Sequence, residues 1–516
     1  MLKKWLHGLI GLSAFALLGR LLGFLREILM ASKFGATEIT DAYLTTLLLF
    51  DIAIAANSSI LSGTLSYYTQ IKNSNVFYKS LFNIGVKIFI FSFIVSLILY
   101  PISGFILPLI FTKSTIAAQT AINTSRLLFI LTSFLVPSGI FAAVLQLKGK
   151  ITNPGQMIVF LNVSSIISLI FLTKYFGIIS LPIGLLIGGV LFFIYQIFLT
   201  HRIDLTQKTK ENFYENSLDN KFNIFGWSTV ILLIFGNSLI PSLSGLIERY
   251  FAYSFVEGTF SHYQYALKVI LLPLTIFSFA ISTSLLPIQT KLINEGEIKE
   301  FYNATNKGIL VSVLTSIFFV LLFSVLSQPI IQVIYQRGHF TLHDSVETSH
   351  ALQIMAIALI PFLLSPVLAN IFYSLKSAKN LIAINLLFVF IQAIVLFFLS
   401  KVLSGIEALA ITWVTVGWLN SGFLIYYLIR FKRVVFDRVI TLKLLLIALI
   451  TTIIIILCKN LSQYLFALDN INEQTAMKIL LVGLTLLLIY CTVVFLILRD
   501  MIIKISAYFL TYKDKK

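Results

Sequence analysis

Fourteen apolar runs follow one another along the chain with only short polar segments between them, and this succession constrains the fold more than any motif does. They lie at 8–31, 41–69, 81–110, 120–147, 156–173, 178–200, 226–250, 262–290, 308–335, 349–375, 381–400, 405–429, 441–458 and 477–502. A helix rises about 1.5 Å per residue and a hydrocarbon layer is roughly 30 Å thick, so runs of this length read as membrane spans. In lipid the backbone must satisfy itself, which a helix does within one segment. The expected fold is therefore an all-α polytopic membrane protein with about 14 transmembrane helices. Composition agrees: 58% of the 516 residues are hydrophobic and 11% are charged. That is more apolar surface than a water-soluble chain of this size can hide.

The net charge is +17, from 38 basic and 21 acidic residues. In a soluble protein this excess would suggest nucleic acid, but here the basic residues sit mostly between apolar runs. They read as topology signals and as contacts for anionic phospholipid headgroups, with no nucleic-acid partner. An even number of spans puts both ends on one side, and 26 of the 38 basic residues then share that side against nine on the other. Both termini are expected in the cytoplasm of a bacterial cell, with the chain multi-pass in the cytoplasmic (inner) membrane. The apolar run after Lys3 and Lys4 is too long for a secretory signal and contains two arginines, so it reads as a retained first span. Cys458 and Cys491 suggest neither a disulfide framework nor a metal cluster.

The loops are too short for a soluble catalytic domain. No HExxH, Gly-x-Ser-x-Gly or Walker lysine loop is present, and no intramembrane aspartates pair at helical spacing, so the chain reads as a transporter and not an enzyme. No cofactor or metal is expected. A repeat divides the spans. FLTKYFGIISLPIG from Phe171 resembles FLSKVLSGIEALAI from Phe398, Pro137 corresponds to Pro366, and Lys148 to Lys376, at offsets of 227, 229 and 228 residues. An even number of spans between the copies makes the repeats parallel. The expected organisation is an N-lobe of six spans at 1–202, a cytoplasmic linker at 203–225, a C-lobe of six spans at 226–433, and two further spans with a basic cytoplasmic tail at 434–516.

The stretch from Ala14 to Thr46 carries charge where a lipid-facing helix would not. Arg20 falls near mid-span, where a lone arginine costs about 2.5–3.5 kcal/mol on insertion scales, so Arg20, Arg26 and Glu27 are candidates for a functional site. Lys268 lies within the eighth span, and Glu248 with Arg249 near the end of the seventh. Each has a plainer reading: helix pairing for Arg20, a structural pair for Arg26 and Glu27, helix capping for Asp41, and interfacial anchoring for Lys268 and Arg249. His262 and His339 read as loop-side residues without a role.

These residues also carry a resemblance. GRLLGFLREILMASKFGATEITDAYLTTLLL, with Gly19-Arg20, Gly23 to Arg26, Phe34 to Ala36 and Thr40 to Ala42, resembles the first-span signature of the MurJ/MviN family. GLIERYFAYSFVEGTFSHYQYALKVILLP from Gly245, SLLPIQTKL from Ser284 and YQRGHFT from Tyr335 are similar to further stretches of that family, and the likeness runs from Ser13 to about Arg433. The resemblance implies a member of the multidrug/oligosaccharidyl-lipid/polysaccharide exporter superfamily that flips lipid II, the undecaprenyl-pyrophosphate-linked peptidoglycan precursor, to the outer leaflet by alternating access. It implies a cationic cavity in which Arg20, Arg26 and Lys268 bind the pyrophosphate headgroup, since arginine forks clasp phosphate oxygens. Glu27, Asp41, Glu248 and Arg249 would support or gate that cavity. The last two spans would carry the isoprenoid tail, and cell-wall or polysaccharide synthesis enzymes would be possible partners. The second span departs from the family: Phe50-Asp51, Ile54-Ala55 and Ser59-Ile60 stand where it has Pro-Asn, arginines and Glu-Gly. Three alternatives accompany this expectation: a flippase for another lipid-linked oligosaccharide of exopolysaccharide or O-antigen type, a cation or drug antiporter of the same superfamily, and a non-transporting scaffold.

Overall fold

A computed structural model describes residues 2–68, 74–110, 114–202, 224–466 and 473–513. Among them the secondary structure is helical throughout. In chain order the helices are α1 (Leu2–Phe34), α2 (Glu38–Thr46), α3 (Leu48–Tyr68), α4 (Ser74–Ile110), α5 (Thr115–Leu147), α6 (Asn153–Phe171), α7 (Thr173–Phe176), α8 (Ser180–Arg202), α9 (Ile224–Ser238), α10 (Ile240–Ala252), α11 (Thr259–Asn294), α12 (Ile298–Tyr335), α13 (Leu342–Ala356), α14 (Leu359–Ser374), α15 (Ala378–Leu399), α16 (Gly405–Lys432), α17 (Arg438–Phe466) and α18 (Glu473–Lys513). A single 3₁₀ turn, Gly177–Ile179, joins α7 to α8.

Among the described residues, 12 helical segments are long and apolar enough to cross a membrane, or 13 when α13 and α14, bent by 45° at their junction, count as one broken span. The remaining expected span is α1. It has the length, but Arg20, Arg26 and Glu27 lie within its second half, and it is not among the segments that length and hydropathy select. The second span, Glu38–Tyr68, is one apolar helical segment interrupted for a single residue, Leu47, between α2 and α3. Pro241 starts α10 after a similar interruption at Leu239.

The chain divides into two compact units, Met1–Ser261 and His262–Lys516. In the first, α5 is the central helix: its span is 67% buried, and α2, α3, α4, α6 and α8 pack on it. Small residues set how closely the helices approach. A Cβ on Gly184 of α8 would lie 2.5 Å from Cα of Ser165 on α6, and one on Gly188 would lie 2.8 Å from the Phe160 carbonyl oxygen. This four-residue spacing of small residues lets two membrane helices meet backbone to backbone. Polar side chains add to the packing. Asn57 of α3 donates to the Leu135 carbonyl and the Ser138 hydroxyl of α5, both at 2.7 Å. Gln196 of α8 donates to Asn153 Oδ1 at 2.9 Å. Buried in a bilayer, such groups must find protein partners.

Residues 203–223 of the expected linker lie outside the described residues. Beyond them, α9 packs on α3 in the first unit, where Trp227 joins a cluster with Ile60, Tyr67 and Ile140 and donates its indole N–H to Thr64 Oγ1 at 3.2 Å. The compact unit therefore runs past the lobe boundary that the repeat suggests. In the second unit α12 is central, packed by α13, α14, α17 and α18. The two C-terminal helices close over it through Leu321, Val325, Ile447 and Leu486. Their outer faces, like that of α4, present large apolar side chains such as Phe91, Phe105, Leu457 and Leu488. A row of exposed aliphatic and aromatic groups on helices of this length is a lipid-facing surface.

Candidate functional site

Four charged residues of the first unit, Arg26, Glu27, Asp51 and Arg249, lie within electrostatic reach of one another beside α2 and α3. Arg26 and Glu27 are neighbours on α1, and adjacent helical positions do not ordinarily face each other. Here both are enclosed, at 8% and 2% exposure, and Nη2 of Arg26 donates to Oε1 of Glu27 at 2.7 Å. Tyr43 of α2 is 1% exposed, and both Tyr43 and Asp51 lie within electrostatic reach of Arg26. Both charges are buried, so separating them would strand an ion away from water.

Arg249, near the end of α10, reaches across to α2 and α3. Its Nη2 donates to Oδ2 of Asp51 at 3.1 Å, its Nε to the Leu44 carbonyl at 3.4 Å, and its guanidinium carbon lies 5.9 Å from the centre of the Phe260 ring. Leu44 is in the last turn of α2, next to the one-residue interruption at Leu47. Glu248, the preceding residue, is buried.

Asp41 has another task. The N-cap of α2 is Thr37, whose side chain accepts from Thr40 N–H. Asp41 accepts the backbone N–H of Gly258 at 2.8 Å and that of Ser261 at 2.7 Å, together with the Ser261 hydroxyl. It thereby holds the turn between α10 and the start of α11. Gly258 in that turn has φ +80°, and a Cβ there would lie 2.5 Å from the Ala36 carbonyl oxygen. Both the backbone and the space demand glycine. A cavity of about 60 Å³ opens beside Asp41, lined by Glu38, Ser114, Tyr253, Glu257 and Phe260 among others.

Of the remaining candidates, Arg20 is exposed on α1, one residue beyond Gly19, whose carbonyl accepts from Asn162 of α6 at 2.9 Å. Lys268 belongs to the second unit, half-buried on α11. The structure thus brings Arg26, Glu27, Asp51 and Arg249 into one cluster and gives Asp41 to the neighbouring turn.

Two features went unassigned in the sequence. Asp51 is an acid inside an apolar span, and that alone marks a residue for attention. His262 corrects the loop expectation. It is the fourth residue of α11, 5% exposed, and its Nε2 lies 2.9 Å from Oδ1 of Asp344. Asp344 also forms the capping box of α13 with Thr341. The polar residues around His262 resemble a loop in hydropathy, whereas its burial depends on a partner 82 positions away. His339 lies in the turn before α13 and is exposed. Among the described residues no group of three or more His, Cys, Asp or Glu is placed to hold a metal ion.

Comparison with known proteins places this geometry in a family. The chain is 29% identical over 441 residues to the probable lipid II flippase MurJ of Buchnera aphidicola subsp. Baizongia pistaciae, covering 82% of each chain. It is 26% identical over 495 residues to the probable lipid II flippase MurJ of Rickettsia prowazekii, covering 92% of this chain and 94% of the relative. A solved structure of lipid II flippase MurJ in an inward closed conformation shares the fold at a TM-score of 0.75 and 22% identity, over 96% of this chain and all of that one. An inward-facing multidrug resistance MATE transporter of the MOP superfamily matches more distantly, with a TM-score of 0.66 and 12% identity over 80% of this chain and 95% of that one. The family model described as lipid II flippase MurJ matches residues 30–472, and the chain belongs to that family.

Proposed function

We propose that this protein is a transporter that moves lipid II from the inner to the outer leaflet of the bacterial cytoplasmic membrane by alternating access. The observation that carries the reading is the cluster of Arg26, Glu27, Asp51 and Arg249 in otherwise apolar helices, in a chain whose residues 30–472 match the family. Ions so placed cost several kcal/mol unless they are paired or serve a polar ligand. In this reading Arg20, Arg26 and Lys268 engage the pyrophosphate headgroup, and Glu27, Asp41, Glu248 and Arg249 support or gate the cavity. The N-lobe 1–202 and C-lobe 226–433 rock about the headgroup, while the isoprenoid tail stays in lipid against the two helices after residue 433.

Both termini lie in the cytoplasm in this scheme, so the headgroup leaves toward the positive side of the membrane. Each negative charge moved outward then gains about 2.3 kcal/mol per 100 mV, which supplies a driving force without nucleotide hydrolysis. Phospholipids surround the bundle, and cell-wall synthesis enzymes are the partners that this role calls for. A flippase for a different lipid-linked saccharide is the second reading, favoured by Ile54 and Ala55 standing where the family resemblance calls for arginines.

Complementation of a bacterium depleted of its own lipid II flippase tests the assignment, with wild type and Arg26→Ala compared at matched membrane levels. Rescue by the wild type and loss in the variant is the expected result. A well-expressed wild type that fails to rescue sinks lipid II as the substrate and leaves the other lipid-linked saccharides.

A further inference from the structure

We propose that Asp51 is an internal competitor for the headgroup: its carboxylate occupies Arg249 in the empty protein and is displaced when a pyrophosphate arrives. The inference rests on the flippase reading above and adds to it a residue and a step.

Arg249 is fixed by contacts of unequal permanence. Its Nε bond to the Leu44 carbonyl and its position over the Phe260 ring tie it to a helix end and a buried aromatic ring. Its Nη2 bond at 3.1 Å goes to Asp51, whose side chain is 51% exposed while that of Arg249 is 11% exposed. If the carboxylate swings away, the guanidinium stays where it is and presents its freed N–H groups to whatever replaces it. Preorganisation of this kind lowers the cost of binding an anion.

The neighbouring ion pair is built differently. Arg26 and Glu27 are both buried, and breaking them strands a charge at a cost of about 3–5 kcal/mol. A pair as open as Arg249 and Asp51 holds together by about 0.2–1 kcal/mol, somewhat more where it is partly shielded. A pyrophosphate carries more charge than a carboxylate and can take a guanidinium fork with two oxygens, so the exchange is downhill. Asp51 is also the only charged residue of α3. An anion approaching that helix therefore meets one repulsive group, and that group is the one covering Arg249. With two arginines and two acids the cluster is neutral when empty, and it gains net positive charge at Arg249 only as Asp51 moves aside.

Equilibrium binding of radiolabelled inorganic pyrophosphate to the full-length protein in lipid nanodiscs, at fixed ionic strength, tests the proposal. Asp51→Asn is expected to bind about two- to sixfold more tightly than wild type, the gain from removing an occupant of that strength. Arg249→Gln is expected to bind more weakly than wild type, and the double variant no more tightly than Arg249→Gln alone. Asp51→Ala repeats the test with a side chain that cannot bond Arg249 at all, and thermal unfolding confirms that each variant is folded. Unchanged or weaker binding by both Asp51 variants overturns the proposal, as does a gain that persists without Arg249 or the absence of binding in every variant. Complementation run alongside separates the two levels. A wild type that rescues while the Asp51 variants bind no more tightly ends the competitor and leaves the flippase; tighter binding without rescue by the wild type does the reverse.

Discussion

The carboxylate of Asp41 and the backbone N–H of Ser261 meet at 2.7 Å although 220 residues separate them, and the same carboxylate takes the N–H of Gly258 at 2.8 Å. Two buried backbone donors at the entry to α11 thus depend on one acid in the first turn of α2. Hydrogen bonds to a charged acceptor contribute about 1.5–3 kcal/mol, and leaving a buried donor unmade costs about as much. Asp41→Ala is expected to lower the thermal unfolding midpoint of the purified protein and to raise hydrogen exchange at residues 256–261. Asp41→Asn keeps the shape but turns an N–H group toward an N–H donor, so it should lie between wild type and alanine. Wild-type exchange in that turn for the alanine variant would refute the anchoring role.

The buried pair of Arg26 and Glu27 makes a second, opposite-signed expectation for single and double variants. Removing one partner leaves an uncompensated charge, at about 3–5 kcal/mol, whereas removing both leaves none. Arg26→Met and Glu27→Met should each destabilise strongly, and the double variant should recover a large part of the loss in thermal unfolding. Transport should remain lost in the double variant if Arg26 also engages the headgroup. Full growth rescue by the double variant would make the pair purely structural.

Hydropathy made the spans readable because it reports the transfer of side chains into lipid, and this protein is mostly that. Thirteen of the expected spans coincide with observed segments, counting α13 and α14 together, and α1 accounts for the fourteenth. The one-residue interruptions at Leu47 and Leu239 have no local signal, since no proline or glycine marks the first and Pro241 only follows the second. Arg26 and Glu27 stood out because charge inside an apolar run is expensive wherever it occurs. The bond between Arg249 and Asp51 joins positions 198 apart on different helices, and no local pattern encodes such a distance. His262 was hidden by its polar neighbours for the same reason: its environment is made by Asp344 and not by its own segment.

Tyr43 provides a test that isolates function from stability. Its hydroxyl is buried and has no hydrogen-bond partner among the described residues. An unmade buried hydroxyl costs about 1–3 kcal/mol, so Tyr43→Phe should leave stability unchanged or raise it. A fall in complementation by this variant, with its thermal unfolding midpoint held or increased, would mean that the hydroxyl finds its partner during transport. Equal growth and equal stability would leave Tyr43 a packing residue beside Arg26.

Lys268 lies nine residues into α11, about 14 Å along the helix at 1.5 Å per residue, and is half-buried in an apolar span. An ammonium that served only to reach an interface would be replaceable by any polar side chain with a flexible stem. One that binds a phosphate must keep its charge. Lys268→Arg retains the charge and adds a planar fork, so it should support wild-type growth in the flippase-depleted strain. Lys268→Gln keeps length and polarity without charge, and should reduce flipping about 10- to 100-fold, the value of one hydrogen bond to a charged group. Near-wild-type activity in the glutamine variant at matched expression would remove Lys268 from the headgroup site, and the cationic work would then rest on Arg20, Arg26 and Arg249.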